Sequence, residues 1–205
     1  MSLDIETLPK ELDDRMLFLL NKKVQNEPEE KKERRKLEYT FHEPQYAKVC
    51  SIGTLYSADG ENISQEDIFF SRDDEKGVIE AFIHHISRFQ GIFTHFNGLD
   101  FDVPFILAKC VQYGIDPPSR FCNLIRFRTN PHYDLMQVYT AWGKFKVNLA
   151  ELLITFGVTN SKDILDYQDT LSFLQTASDE DIQKYNMADV RSTFEAYKKI
   201  SKIYK

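Results

Sequence analysis

Apolar residues recur along the chain at two spacings, and the switches between them mark its elements. Ala47 to Tyr56 is rich in Val, Ile, Leu and Tyr and stops at Ala58-Asp59-Gly60, the pattern of a strand running into a hairpin turn. Asp67 to Ser71, with Ile68-Phe69-Phe70, supplies a partner strand. Between Asp73 and Arg88 the apolar positions Val78, Ile79, Phe82, Ile83 and Ile86 move to helical spacing. Gly91 to Phe96 reads as a buried strand ending at the Asn97-Gly98 turn, where glycine tolerates positive φ. Val103 to Tyr113 predicts a helix closed by Gly114 and Pro117-Pro118. His132 to Met136 predicts a short strand, Leu149 to Phe156 a helix closed by Gly157, and Ala177 to Ile203 one or two final helices.

The beginning of the chain is different. Leu3 to Glu6 predicts a very short strand, abrupt enough to leave open a strand trimmed at its start. A charged, helix-favouring insertion at about 8–38 follows, with an apolar cluster at Met16-Leu17-Phe18-Leu19-Leu20 and a break at Asn26-Glu27-Pro28. Its mixed-charge run from Glu29 to Arg35 fits a solvated helix face or a mobile segment near a substrate cleft. Strands first, then strands alternating with helices, predict an α/β fold with a mixed sheet. No repeat, low-complexity tract or Gly/Ser linker divides the sequence, so the 205 residues are expected to form a single domain.

Composition narrows the function classes. Hydrophobic residues make up 42% of the chain, including 16 Phe and 10 Tyr, enough for a packed core. No apolar run approaches the roughly 18 residues of a membrane span. No signal peptide is expected from Met1-Ser2-Leu3. Cys50, Cys110 and Cys122 are sparse, odd in number and lack zinc spacing, which predicts reduced thiols and a cytoplasmic protein. A net charge of −6 disfavours a broad electrostatic nucleic-acid binder, yet suits a protein whose acids are neutralised by divalent ions. The five histidines show no ligand spacing.

Candidate chemistry lies in three acidic motifs. Asp4 and Glu6 stand two apart, so a strand turns both to one face and sends Ile5 to the other. Two adjacent carboxylates repel unless a cation lies between them, and oxygen ligands suit a hard divalent ion. A strand face meeting water explains the pair equally. Asp102 precedes a helical pattern with Pro104 in its first turn, where it serves as a helix N-cap or as a functional acid. Tyr185 and Asp189, four apart, share one helix face beside an apolar stripe of Met187, Val190, Phe194 and Tyr197. Asp189 then lies at the boundary of the core, where a carboxylate needs a partner or a cation, unless the two are an incidental surface pair.

Taken in order, Asp4-Ile5-Glu6-Thr7, Asn97-Gly98-Leu99-Asp100-Phe101-Asp102-Val103-Pro104 and Tyr185-Asn186-Met187-Ala188-Asp189 resemble the three motifs of the DnaQ-like (DEDDy) 3′–5′ exonucleases. The likeness is to the exonuclease domain of family B DNA polymerases and its stand-alone bacterial relatives, and it spans nearly the whole chain. It implies the RNase H-like fold, a mixed central sheet flanked by helices. It also assigns roles. Asp4, Glu6, Asp102 and Asp189 would hold two ions, Mg²⁺ or Mn²⁺. Asp4 would bridge them, Glu6 and Asp189 would serve the ion that activates water, and Asp102 the leaving-group side. Tyr185 would orient that water. The family's other branch carries histidine five residues before the last aspartate, where this chain has Lys184.

The resemblance also implies substrate contacts at Thr7, Leu8, Asn97 and Phe101, while Asp134 in Tyr133-Asp134-Leu135 is expected to cap or pack locally. Arg126, Arg128, Lys144 and Lys146, interleaved with Tyr133 and Trp142, read as a grip for single-stranded nucleic acid or as ordinary surface charge. The expected reaction trims a single-stranded 3′ end to nucleoside 5′-monophosphates, DNA favoured over RNA, in repair or proofreading. An exoribonuclease with the same site and a non-catalytic nucleic-acid-binding module are the alternatives. No polymerase domain fits in 205 residues, so the protein is expected either to work alone, in repair or end trimming, or to meet a polymerase or helicase partner.

Overall fold

A computed structural model describes residues 1–158 and 167–204. Five strands form one mixed sheet, ordered β3-β2-β1-β4-β5. The strands are β1 (Ser2–Pro9), β2 (Ala47–Tyr56), β3 (Gln65–Phe70), β4 (Phe93–His95) and β5 (His132–Asp134). β1, β2 and β3 pair antiparallel, whereas β4 runs parallel to both β1 and β5. Between β1 and β2 the chain makes two helices, α1 (Asp14–Lys23) and α2 (Glu29–His42), and the remainder are α3 (Glu75–Ile86), α4 (Asp102–Tyr113), α5 (Leu135–Tyr139), α6 (Leu149–Thr155), α7 (Tyr167–Thr176) and α8 (Asp179–Ile200).

Side-chain alternation, reset in β2 by the register shift opposite Glu6 and Thr7, assigns the two faces. Leu3 and Ile5 of β1, with Val49 and Ile52 of β2, meet Val78, Ile79 and Phe82 of α3 and Val103, Phe105 and Ile106 of α4. On the other face Leu55 packs against Met187, Val190 and Phe194 of α8, the stripe expected from the sequence. Each such large side chain, once buried, contributes roughly 1.5–3 kcal/mol. Helix α8 approaches closely because Gly53 lies beneath it: a Cβ there would fall 2.8 Å from Asn186 Oδ1 and 2.9 Å from Val190 Cγ2. The α3–α4 layer also encloses an ion pair. Lys109 Nζ lies 3.0 Å from Glu75 Oε1 and donates to the Ala47 carbonyl at 2.6 Å.

Several sequence expectations need correction. The first strand runs to Pro9 because it pairs with β2 along its whole length, through a bulge between Glu6 and Thr7. The strand expected from His132 to Met136 stops at Asp134, whose side chain accepts from Gln137 N and starts α5. The strand expected over Gly91 to Phe96 is confined to Phe93–His95. At the Asn97-Gly98 turn the positive φ belongs to Asn97, at 61°. Gly98 is needed for a different reason: a Cβ there would stand 2.4 Å from the His95 ring. Among the described residues no helix is long and apolar enough to cross a membrane.

Candidate metal centre

Asp4 and Glu6 leave β1 on the face covered by α8, and Asp189 descends from that helix. One ligand atom from each of the three falls within 4.8 Å of the others. The positioning is backed from beneath. Asn186 is fully buried, and its Nδ2 donates to Asp4 Oδ2 at 2.8 Å. Its Oδ1 in turn accepts from Ser51 Oγ at 2.9 Å, and Ser51 lies opposite Glu6 in the sheet register. Asn186 therefore ties the strand carboxylate to the helix that carries the third acid. Sequence reading missed it, although an amide beside the apolar stripe of α8 is a signal of such a bond. Tyr185, half-buried one turn before Asp189, packs against Phe173 of α7 with ring centroids 5.3 Å apart.

Asp102 is placed differently. It begins α4 but makes no cap, since the N-cap position is Phe101 and carries no side-chain bond. Its Oδ1 instead accepts from Ile5 N at 3.0 Å, the backbone between Asp4 and Glu6. β4 pairs with β1 only at Ser2 opposite Thr94, so the carboxylate takes an N–H beyond the reach of that strand. Burial pushes the Asp102 carboxyl up to about 6, with nearby Asp134 adding to the shift, while His95 and the Ile5 N–H oppose it. The structure thus gathers three of the expected acids into one cluster and fastens the fourth to the strand bearing two of them.

The loop leading to Asp102 hangs from Asp134. That carboxylate accepts from Asn97 N at 3.2 Å, Leu99 N at 3.0 Å and Gln137 N at 3.1 Å. Beneath it His132 Nε2 donates to the Phe121 carbonyl at 2.9 Å, leaving His132 Nδ1 to accept from His95 Nε2 at 3.2 Å. His95 Nδ1 faces Asp134 Oδ2 at 3.4 Å. Burial holds His132 neutral, lowering it to about 4, with His95 adding to the shift. None of the histidines approaches a metal-ligand arrangement among the described residues.

The expected substrate contacts scatter around this centre. Thr7 Oγ1 donates to the Phe41 carbonyl at 2.6 Å, and Leu8 is buried with Phe41 and Leu171. Asn97 Oδ1 is buried without a hydrogen-bond partner. Phe101 packs on the His42 and Phe105 rings, with centroids 5.8 and 5.6 Å away. Arg126, Arg128, Lys144 and Lys146 are exposed, but Tyr133 is not part of their surface. It is buried edge-on against Tyr197.

A profile of the family described as predicted 3′–5′ exonucleases related to the exonuclease domain of PolB matches residues 39–204. Asp102, Tyr185 and Asp189 fall inside the match, and Asp4 and Glu6 precede it. No curated protein matches the chain in sequence. Its fold is similar to that of the family B DNA polymerase from the hyperthermophilic archaeon Pyrobaculum calidifontis, with a TM-score of 0.62 and 18% identity. That likeness covers 98% of this chain and 24% of the polymerase.

Proposed function

The chain belongs to this family of predicted 3′–5′ exonucleases related to the exonuclease domain of PolB, and from that premise we propose that it trims single-stranded DNA from the 3′ end to nucleoside 5′-monophosphates, using two divalent cations. The observation that carries the reading is the convergence of Asp4, Glu6 and Asp189 from a strand and a distant helix. Three carboxylate oxygens within 4.8 Å repel one another, and their hard donors fit Mg²⁺ or Mn²⁺. When bound, the ions supply charge stabilisation to the attacking and leaving oxygens and acidify the attacking water.

The residues divide the work. Asp4, Glu6 and Asp189 hold the cations, with Asn186 keeping Asp4 turned toward Asp189. Asp102 joins them from the α4 side, where its bond to Ile5 N fixes its carboxylate against β1. Tyr185 orients the water by hydrogen bonding, since a neutral phenol is a weak base. Asn97 and Phe101, in the same loop, would lie beside the terminal nucleotide. Residues 1–205 act as one domain, with α1 and α2 as a helical insertion between the first two strands.

The test is degradation of a 5′-labelled single-stranded DNA oligonucleotide with Mn²⁺, alongside EDTA and Asp102→Ala controls. A ladder shortening from the 3′ end and abolished by both controls is expected. Degradation of RNA alone would redirect the substrate assignment. A folded protein that binds Mn²⁺ at none of these acids would sink the reading.

A further inference from the structure

The surface around Phe127 and Phe145 is unlike the rest of the protein in charge, exposure and backbone. Between Pro117 and Ala150 the sequence carries Arg120, Arg126, Arg128, Lys144 and Lys146 against one acid, Asp134, in a chain of net charge −6. That acid is buried, so the stretch presents a positive face. Two phenylalanines project from it, Phe127 at 72% and Phe145 at 60% exposure, with Ile125 beside them in sequence at 49%. Each exposed ring has an aromatic backing. Phe127 meets the half-buried Trp142 with centroids 5.7 Å apart, and Phe145 meets Tyr139 at 6.5 Å. The backing rings are themselves packed in the core around Tyr133, Leu152 and Ala196.

Backbone strain is concentrated in the same place. Among the described residues four non-glycine positions have positive φ: Asn97 at 61°, Phe127 at 64°, Ala141 at 50° and Trp142 at 54°. Three belong to this surface and the fourth to the loop before Asp102. A bulky residue held at positive φ is costly, and such strain persists where a site requires it. Here it turns the Phe127 ring into solvent, the opposite of what burial favours.

The surface is also joined to the acidic centre. Arg126 Nη2 donates to Asp100 Oδ1 at 3.0 Å, and Gln137 Nε2 donates to Asp100 Oδ2 at 2.8 Å. Asp100 thus links the Phe127 segment and α5 to the loop that ends in Asp102. We propose that Phe127 and Phe145, backed by Trp142 and Tyr139, form a base-stacking platform that guides single-stranded DNA toward the acidic centre. Arg128, Lys144 and Lys146 neutralise the phosphates of the strand, and the rings stack on its bases regardless of sequence. This role rests on the exonuclease reading, and it supplies what an acidic protein otherwise lacks, a positively charged track for a polyanion. Asp100 holds the track in register with the cutting site.

The chain has one tryptophan, Trp142, so stacking on the platform reports directly in its fluorescence. Metal-free protein in EDTA would be titrated with oligothymidylate and with an abasic phosphodiester oligomer of the same length. Oligothymidylate should change Trp142 emission and bind about tenfold more tightly than the abasic strand, the share of one stacked base. Phe127→Ala should bring oligothymidylate down to the abasic level, and Phe127→Tyr should restore it. Changing Lys144 and Lys146 together to Gln should weaken both oligomers alike and flatten the salt dependence. Equal affinity of Phe127→Ala and the wild type for oligothymidylate would overturn the platform. So would self-association through the patch without any nucleic-acid binding. The wild type with Mn²⁺ would be assayed separately on the p-nitrophenyl ester of thymidine 5′-monophosphate, too small to span from platform to acids. Failure there sinks the exonuclease reading, whereas hydrolysis there with no stacking in EDTA sinks the platform alone.

Discussion

Asp102 and Asp134 are both almost sealed from water, at 3% and 1% exposure, yet their carboxyls are driven in opposite directions. Burial raises Asp102 to about 6. Burial pushes Asp134 upward as well, but His95 and the N–H groups of Leu99 and Gln137 outweigh it, and its pKa ends below the ordinary carboxylate value. Donors make the difference. Asp134 accepts three backbone N–H bonds beside a histidine, while Asp102 accepts from Ile5. The two stand at opposite ends of one loop, so the protein anchors that loop on a satisfied acid and presents an undersatisfied one. Buried charge that the protein does not itself compensate is what a cation site offers.

The largest test of this contrast is Asp102→Asn. Exonuclease turnover should fall by about 1000-fold, taking several kcal/mol of transition-state stabilisation as the share of one ligand. In metal-free protein the same change should raise stability by about 1 to 2 kcal/mol, because a neutral amide replaces a carboxyl whose ionisation burial opposes. Urea denaturation in EDTA together with a gel assay measures both, and a destabilised variant would break the contrast. Asp134→Ala should do the reverse. Stripping the acceptor from three buried N–H groups should cost about 3 to 5 kcal/mol of stability, read as a lower urea midpoint.

Acidification sharpens the comparison with a smaller effect. His132 has its pKa lowered from 6.5 to about 4. Between those values the unfolded chain takes up a proton that the folded protein refuses. The contribution of His132 is therefore complete above about pH 6.5 and is lost as pH falls toward 4, by about 3 kcal/mol. Asp134, whose pKa is lowered, adds its own loss only further down, below the ordinary carboxylate range. Protonation of Asp102, raised to about 6, stabilises the fold over the same window, so the loss is read in the Asp102→Asn background, where thermal melts should fall steadily; a flat melting temperature there would mean the His95–His132–Asp134 group is hydrated. The smallest effect concerns Asp4, which a neutral amide steadies. Asn186→Ala should lower turnover about 10-fold, the usual share of a residue that orients a ligand, and stability by about 1 kcal/mol as Ser51 loses its acceptor.

How much of this was legible in the sequence follows from where each signal resides. The four acids and Tyr185 sit in short strings whose strand and helix spacing can be read locally, and the α8 stripe is read the same way. The mixed sheet was recoverable because β2, α3 and α4 each keep one clear periodicity. Asn186 was hidden because its meaning depends on Ser51 and Gly53, far away in sequence and adjacent only after β1 and β2 pair. Asp134 was anticipated as a local cap, which it is, but its hold on the Asn97–Leu99 loop required β4 and β5 to be set side by side. The extent of β1 was underestimated because Thr7, Leu8 and Pro9 find their partners, Val49, Lys48 and Ala47, across a register shift that no local pattern reveals. Phe127 and Phe145 carry no local signal, because nothing in composition distinguishes an aromatic ring that faces outward.

Gly53 touches none of the chemistry, yet it works as a shim of zero thickness. It lies opposite Asp4 in the sheet, and the helix bearing Asp189 rests on the space where its side chain would be. The gap between strand and helix acids is therefore gauged by a carbon atom that is not there. Adding it, as in Gly53→Ala, would jack α8 away from β1 and widen the jaws of the site without altering a single ligand. On the proposed reading, ionic radius, and with it the choice between a small cation and one the size of Ca²⁺, would then be retuned from a position that supplies no ligand.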